Sequence, residues 1–257
     1  MKSHKTSRRQ LAIIAQIRSQ GTATVAELAM GLDVSEETIR RDAKVLEIKG
    51  EILKLHGSLA LPHLAGEAPF ERRLRENSEA KRAIAKRAVQ FVEDGDSLMI
   101  DTGTTTSIFA QELRVKRNLT IVTNSSDIAR TLATVNGNTV YMAGGELKGD
   151  NGAAFGPTAV AFFSKFRVKH AFISIGALHA TDGPMDADLS ESELAYMAIS
   201  RADHRVILSD SSKFGKSALV KMCEFSEVNR LITDATPDAT LSRALDAAGV
   251  TINVVSL

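Results

Sequence analysis

Val34-Ser35-Glu36-Glu37-Thr38-Ile39-Arg40-Arg41-Asp42-Ala43-Lys44-Val45-Leu46 is the stretch on which the reading of this 257-residue chain turns. Ser35 suits a helix N-cap, because its hydroxyl can accept an orphan N–H of the first turn, and Glu36 and Glu37 lie where the helix dipole favours acids. Ile39, Ala43 and Leu46 recur at helical spacing and predict one inward face. At about 100° per residue, Glu37, Arg40, Arg41 and Lys44 fall on the opposite half. An exposed basic face of this kind is what reading of a DNA major groove requires, since guanidinium forks match guanine edges and Lys or Arg grip phosphates. The bland alternative is a solvated face on a small helical bundle.

The flanks favour the first reading. Upstream, Leu11, Ile14, Ala15 and Ile17 predict one helix, and Val25, Leu28, Ala29 and Leu32 a second. Leu32-Asp33-Val34 is too short for anything except a tight helix–turn–helix. Downstream, Ile52-Leu53-Lys54-Leu55-His56-Gly57 reads as a small β-ribbon, a wing, with Lys54 placed to meet phosphates. Residues 1–60 carry ten Lys and Arg against seven Asp and Glu, whereas the remainder carries 22 against 24. A basic first segment on a chain of net charge +1 points to a polyanionic partner, double-stranded DNA.

Length suggests one large domain or two. At 44% hydrophobic and 25% charged, the composition excludes disordered and fibrous classes. No apolar run approaches the roughly 18–20 residues of a membrane span, and no apolar signal region follows the basic N-terminus. The single cysteine, Cys223, cannot form an intramolecular disulfide and reads as a packed small hydrophobe of a cytoplasmic protein. The six histidines show no metal-ligand spacing, so neither metal nor cofactor is expected. Pro62, Gly66 and Pro69 break the helical periods. The resulting expectation is a winged helix–turn–helix over 1–60, a linker over 61–78 and an α/β domain over 79–257.

The last segment opens with an amphipathic helix, about Glu79 to Phe91. Short apolar strands then alternate with helices: Leu98–Ile100, Thr120–Val122, Val140–Met142, Ala171–Ile175, Val206–Leu208, Leu231–Thr233 and Ile252–Val255. This alternation predicts a mainly parallel sheet with covering helices. Ligands of such sheets sit outside the carboxyl ends of the strands. The segments at those ends are Asp101-Thr102-Gly103-Thr104-Thr105-Thr106, Thr123-Asn124-Ser125-Ser126 and Gly144-Gly145, all suited to presenting backbone N–H groups to an anion. Taken singly, each is also explained by turn and capping chemistry. Ser209-Asp210-Ser211-Ser212-Lys213 follows another strand. Gly215-Lys216-Ser217 is not a nucleotide-binding P-loop, because Asp210 stands where that motif needs glycine. Asp210 can accept hydrogen bonds from a polyol and Lys213 can neutralise a phosphate. An N-cap and a surface cation are the plainer alternatives.

Val34 to Asp42, with Leu46 and His56-Gly57, resembles the DNA-binding signature of the DeoR-type family of bacterial transcriptional regulators. Within that signature Ser35, Thr38 and His56 join the candidate DNA contacts. Two positions depart from the family pattern. Asp33 and Ser58 stand where glycines are usual, and Asp tolerates a left-handed backbone. Phe70-x-x-Arg73, Lys81-Arg82-x-Ile84-Ala85, the loops just named and Asp210-x-Ser212-Lys213-Phe214-Gly215 resemble the same family's sensor domain. The resemblance implies a fold similar to sugar-phosphate isomerases and a phosphorylated sugar or polyol as effector. It also adds Arg73 and Lys81 to the candidate effector contacts. Gly149 to Gly156 and Phe163 to Arg167 resemble the glycerol-3-phosphate repressor branch, implying glycerol 3-phosphate. A repressor working as a dimer or tetramer on repeated half-sites is the expectation. The competing class is a sugar-phosphate isomerase. Asp101, Asp186 and Glu191 are its candidate carboxylates, although their sequence spacing suggests no acid–base pair.

Overall fold

A computed structural model describes residues 7–20, 22–48, 51–55, 58–60, 69–148 and 150–257. The chain divides into two compact units, Met1–Glu67 and Ala68–Leu257. His56, Gly57, Gly149 and most of the expected linker, 61–68, lie outside the described residues.

The first unit contains α1 (Arg8–Gln20), β1 (Thr22–Thr24), α2 (Val25–Gly31), α3 (Glu36–Ile48), β2 (Leu53–Leu55) and β3 (Ser58–Ala60). Thr24 and Glu27 form a capping box that starts α2. Asp33 turns the chain between α2 and α3 with φ 51°, the left-handed backbone expected of it. Ser35 caps α3 by accepting the Thr38 N–H at 3.3 Å. Ile39, Ala43 and Leu46 are buried as predicted. In α1 the inward stripe is shifted. Ile17 of the expected set is fully buried and Ile14 packs half-buried on the same core, but Leu11, 55% exposed, and Ala15 face out, and Ile13, fully buried, faces in. Ile13 and Ile17 form an i, i+4 pair with Gln10 one turn earlier, and Gln10 Nε2 donates to the buried Asp42 carboxylate at 3.4 Å. That polar anchor rotates the helix away from the purely apolar choice. β2 and β3 pair antiparallel as the expected wing, and β1, too short to be seen in the sequence pattern, adds a third strand beside β3.

The second unit runs α4 (Phe70–Arg75), α5 (Ser78–Val89), β4 (Ser97–Ile100), α6 (Thr104–Glu112), β5 (Thr120–Thr123), α7 (Ser126–Leu132), β6 (Thr139–Met142), α8 (Pro157–Phe163), β7 (Val168–Ile173), β8 (Ala177–His179), β9 (Gly183–Asp186), α9 (Leu189–Ser200), β10 (Ala202–Leu208), β11 (Val220–Lys221), β12 (Arg230–Thr233), α10 (Ala239–Ala247) and β13 (Thr251–Val254). All seven predicted strands enter one parallel sheet of order β13-β12-β10-β7-β4-β5-β6. Side chains alternate across it. Leu98, Ile100, Ile121, Phe172 and Leu208 face a layer with Ile84, Phe109 and Ile128, from α5, α6 and α7. Met99, Val122, Ile173, Ile207 and Leu231 face Phe163, Leu194 and Leu241, from α8, α9 and α10.

Two expectations need correction. Residues 69–78 are not linker: they form α4 and the corner into α5, because Phe70 is buried and its N–H donates to the Asp150 carboxylate at 3.1 Å. A small antiparallel sheet, β11-β9-β8, was also unforeseen. Asp182 lies in the turn that ends where β9 begins at Gly183, whose φ is 80° and whose Cβ, if present, would meet the Cys223 carbonyl at 2.8 Å. Cys223 is a core residue, and burial pushes its thiol up to about 12. Among the described residues no helix is long and apolar enough to cross a membrane.

The corrected α1 stripe makes a clean test. Ile13→Ala should cost about 2–5 kcal/mol of stability in urea unfolding of the first unit's transition. Leu11→Ala should change it by less than about 0.5 kcal/mol. Equal losses in the two variants would contradict the packing described.

Candidate functional site

Two sets of candidate residues occupy different units. In the first unit, Glu37, Arg40, Arg41 and Lys44 of α3 and Lys54 of β2 line one groove, floored by Val25, Ala43 and Leu59. The helix spacing aligns the first four, and the antiparallel β2–β3 pair brings Lys54 to meet them. Arg40 is paired with Glu36 at 2.5 Å and faces Glu37 at 3.8 Å. Arg41 and Lys44 make no ion pair with any described residue, which leaves them the cations best placed for an outside anion. The Ser35 and Thr38 hydroxyls lie 2.9 Å apart at the start of the helix. Asp42, inside the same motif, points inward and is buried against Arg9 and Gln10, so it ties α3 to α1. Its place at i+3 from Ile39 was the available sequence signal for that inward role.

In the second unit the strands diverge from a split. After β4 the chain builds outward through β5 and β6, then returns to build outward on the other side through β7, β10, β12 and β13. The carboxyl ends of β4 and β7 therefore open a crevice at the switch point. Asp101 lies there, and its carboxylate accepts the Ser174 N–H at 3.1 and 3.3 Å. Gly103 sits so close to Ser174 that a Cβ would come within 1.8 Å of its hydroxyl. Thr104, Thr105 and Thr106 form the buried first turn of α6, and no side chain caps that turn. Its N–H groups and dipole are therefore turned to whatever enters the crevice. The fold also brings Asp186 and Glu191 near Asp101, which their sequence spacing did not suggest. β9 and the start of α9 return over the sheet end, and Asp186 accepts the Gly176 N–H at 2.7 Å.

Two strands along, after β10, Asp210 is buried and accepts from Asn77 Nδ2 at 3.0 Å and from the Ser212 N–H at 3.0 Å. Lys81, on the first turn of α5, is buried beside it, with Lys213 and Arg73 close enough to repel its charge. Burial and then those cations depress the Lys81 ammonium, opposed by Asp210. Arg73, on α4, lies near Asp150 at 4.0 Å, and α4 packs on α6. Arg73, Lys81, Asp210 and Lys213 thus form one cluster.

Asn124 and Ser125 are placed differently. Asn124 is fully buried, its Oδ1 accepting the Thr102 N–H at 3.0 Å and its Nδ2 donating to the Ala154 carbonyl at 3.0 Å. Ser125 Oγ caps α7 by accepting the Ile128 N–H at 3.3 Å. Both frame the loop. Gly144 and Gly145 follow edge strand β6 and are exposed. They lie four strands from β10, roughly 19 Å at about 4.8 Å per strand, beyond the reach of a small ligand held at Asp210.

Burial also raises the Asp101 carboxyl well above the usual carboxylate range, with Asp186 and Glu191 adding repulsion. The folded chain then binds this proton more tightly than the unfolded chain does. Its stabilisation is complete below the unfolded value and is lost as pH rises through the raised folded one. Asp101→Asn keeps an acceptor for Ser174 and should melt above the parent at neutral pH, the gap narrowing as pH falls. A gap that stays constant with pH in thermal melts would refute this.

The motifs and geometry agree with comparisons to known proteins. Residues 9–64 match the DeoR-like helix-turn-helix domain and residues 76–235 the DeoR C terminal sensor domain. The glycerol-3-phosphate regulon repressor of Escherichia coli is 32% identical, over 94% of this chain and 96% of its own length. The HTH-type transcriptional regulator IolR of Bacillus subtilis is 33% identical, over 84% of this chain and 86% of its own. Among solved structures, ribose 5-phosphate isomerase A from Methanocaldococcus jannaschii aligns over 54% of this chain and 55% of its own, at 18% identity and a TM-score of 0.40. With its reader and its sensor both matched in order along one polypeptide, the chain belongs to the DeoR family of DNA-binding transcriptional regulators.

Proposed function

We propose that this chain represses genes of sugar or polyol catabolism and leaves its operator when a phosphorylated sugar or polyol binds the second unit. The observation that carries the reading is the meeting of Arg73, Asp210 and Lys213 around the buried Lys81, beside the crevice where α6 presents its uncapped first turn. Cations and helix N–H groups suit a phosphate, while Asp101 and Asp210 suit hydroxyls. Asn124 and Ser125 frame the crevice, and Gly144 and Gly145 follow β6, two strands from its β4 side. Glycerol 3-phosphate is the first effector to test, in view of the relative named for it. The ligand is sensed and not turned over. The chain works in the cytoplasm as a dimer or tetramer, so that paired readers meet repeated half-sites.

In the reader, Arg41 and Lys44 take the base-edge and phosphate contacts, with Lys54 on phosphate and Arg40 partly held by its own helix's acids. Ser35, Glu37 and Thr38 border that contact. Arg41→Ala should lose about 1–3 kcal/mol of operator binding and relax specificity at one base pair, measured by gel shift across single-base variants. Unchanged binding would place the recognition face elsewhere on α3.

For the sensor, a thermal-shift series with glycerol 3-phosphate, other phosphorylated sugars and polyols, and their unphosphorylated parents identifies the class, because a ligand of the native state raises the melting temperature. Lys213→Ala should bind operator like the parent and need at least about tenfold more effector to release it, the scale of one charge-assisted contact. Release at the parent's effector concentration would make Lys213 an ordinary surface cation.

A further inference from the structure

The helix α4 is only six residues long, yet it is tied down at both ends by residues of the second unit's ligand edge. At its start the Phe70 N–H donates to both oxygens of the Asp150 carboxylate, at 3.1 and 3.2 Å. The same carboxylate lies 4.0 Å from the Arg73 guanidinium. Toward its end, the Arg73 carbonyl accepts a short hydrogen bond from the buried Lys81 ammonium. Just beyond, Asn77 takes a left-handed backbone, φ 53°, and its side-chain amide donates to Asp210. Each tether thus ends on, or next to, a residue of the cationic cluster. In sequence, α4 is also the first described element after residues 61–68, which lead from the reader.

We propose that α4 is a latch on Lys81: a phosphorylated ligand and the Arg73 carbonyl compete for the same buried ammonium, so effector binding loosens α4, with Asp150 and Asn77 as positioning residues that hold it in the ligand-free state. The proposal rests on the preceding reading that a phosphate enters this cluster. The physical basis is the difference between the two acceptors. A backbone carbonyl is neutral, whereas a phosphate is charged, and charge-assisted hydrogen bonds are roughly twice as strong. Lys213 and Arg73 crowd the Lys81 charge, and an arriving anion relieves that crowding for all three cations together. As the anion recruits Arg73 and Lys81, it removes both contacts that those residues give to α4 and Asp150. A ligand hydroxyl on Asp210 takes the place of the Asn77 amide. The coupling is reciprocal, so weakening the latch by other means strengthens effector binding.

The test uses the full-length chain with glycerol 3-phosphate and inorganic phosphate as probes. Binding is followed by thermal shift and calorimetry, and hydrogen exchange is followed in a peptide covering residues 70–76. Saturating probe should speed exchange across that peptide, although a ligand normally slows exchange where it binds. Asp150→Ala, at a half-exposed side chain whose polar contacts among the described residues are with α4 alone, should bind the probe about fivefold tighter and release operator at correspondingly lower probe concentration. Asp150→Asn should fall between the parent and Asp150→Ala, because its amide oxygen still accepts the Phe70 N–H. Equal gains in the two variants would assign the effect to lost charge alone and overturn the latch. Unchanged or slowed exchange over 70–76 on probe binding would overturn it as well, leaving the phosphate site standing. Absence of any thermal shift with either probe would remove the phosphate site and the latch together.

Discussion

Across the split between β4 and β7, a buried carboxylate holds the two halves of the sheet end in register: Asp101 accepts the Ser174 N–H from the neighbouring strand. Backbone groups at a switch point lose their ladder partners as the strands part, and a buried N–H left unpaired is costly. Asp101 satisfies that N–H but suffers burial itself, which is why its proton is held so firmly. Gly103 follows from the same closeness, since nothing larger fits against Ser174. The first turn of α6 then starts inside the crevice. Threonines there keep the turn small, and with no cap its N–H groups remain available. One constraint on backbone pairing thus produces a concave edge with helix N–H groups, acids and, two strands away, cations.

Much of this was readable in advance because period and punctuation act locally. The seven strands of the sheet were visible as short apolar runs separated by helical patterns, the five inner ones largely buried and the edge strands β6 and β13 partly exposed. Ser35, Asp33 and the α3 stripe were visible because capping, left-handed turns and helical spacing each leave a residue signature. The misreadings share one cause. In α1 the choice between two apolar stripes was settled by Asp42, 32 residues from Gln10, and no window of sequence contains both. Residues 69–78 looked like linker because Pro69 breaks the pattern, yet Phe70 is secured by Asp150, 80 residues on. β8 and β11 are only three and two residues long, and β9 opens with Gly183 and Pro184 in place of an apolar run.

The candidate contacts divide along the same line. Sequence places a residue at a strand end, but it does not say whether its polar atoms face the ligand or the framework. Asn124 illustrates the difference: both halves of its amide are used in holding Thr102 and Ala154. Lys81 is the opposite case. A lysine on an amphipathic helix ordinarily reads as solvated, and only the approach of α4 and the loop after β10 reveals that it is buried among charges. Asp186 and Glu191 likewise join Asp101 only because β9 and α9 fold back over the sheet end. The reader shows a milder version, in which Arg40 and Arg41 are adjacent in sequence but differ in how far their charges are already answered.

A regulator needs more than an occupied site, because a ligand that binds two states equally shifts nothing, however tightly it binds. The differential must come from a group whose partners differ between the states. A carboxylate such as Asp101, fixed to a backbone N–H that the sheet itself positions, is a poor source of such a differential, because moving it would open the sheet. A long, flexible ammonium buried beside a short helix is well suited, since Lys81 can exchange a neutral acceptor for a charged one while the sheet stays intact. The division of labour that results is physical in origin. In the proposed scheme, recognition rests on the rigid edge of the sheet, and the free energy available for switching rests on a cluster in which Arg73 and Lys213 press their charges against a buried Lys81.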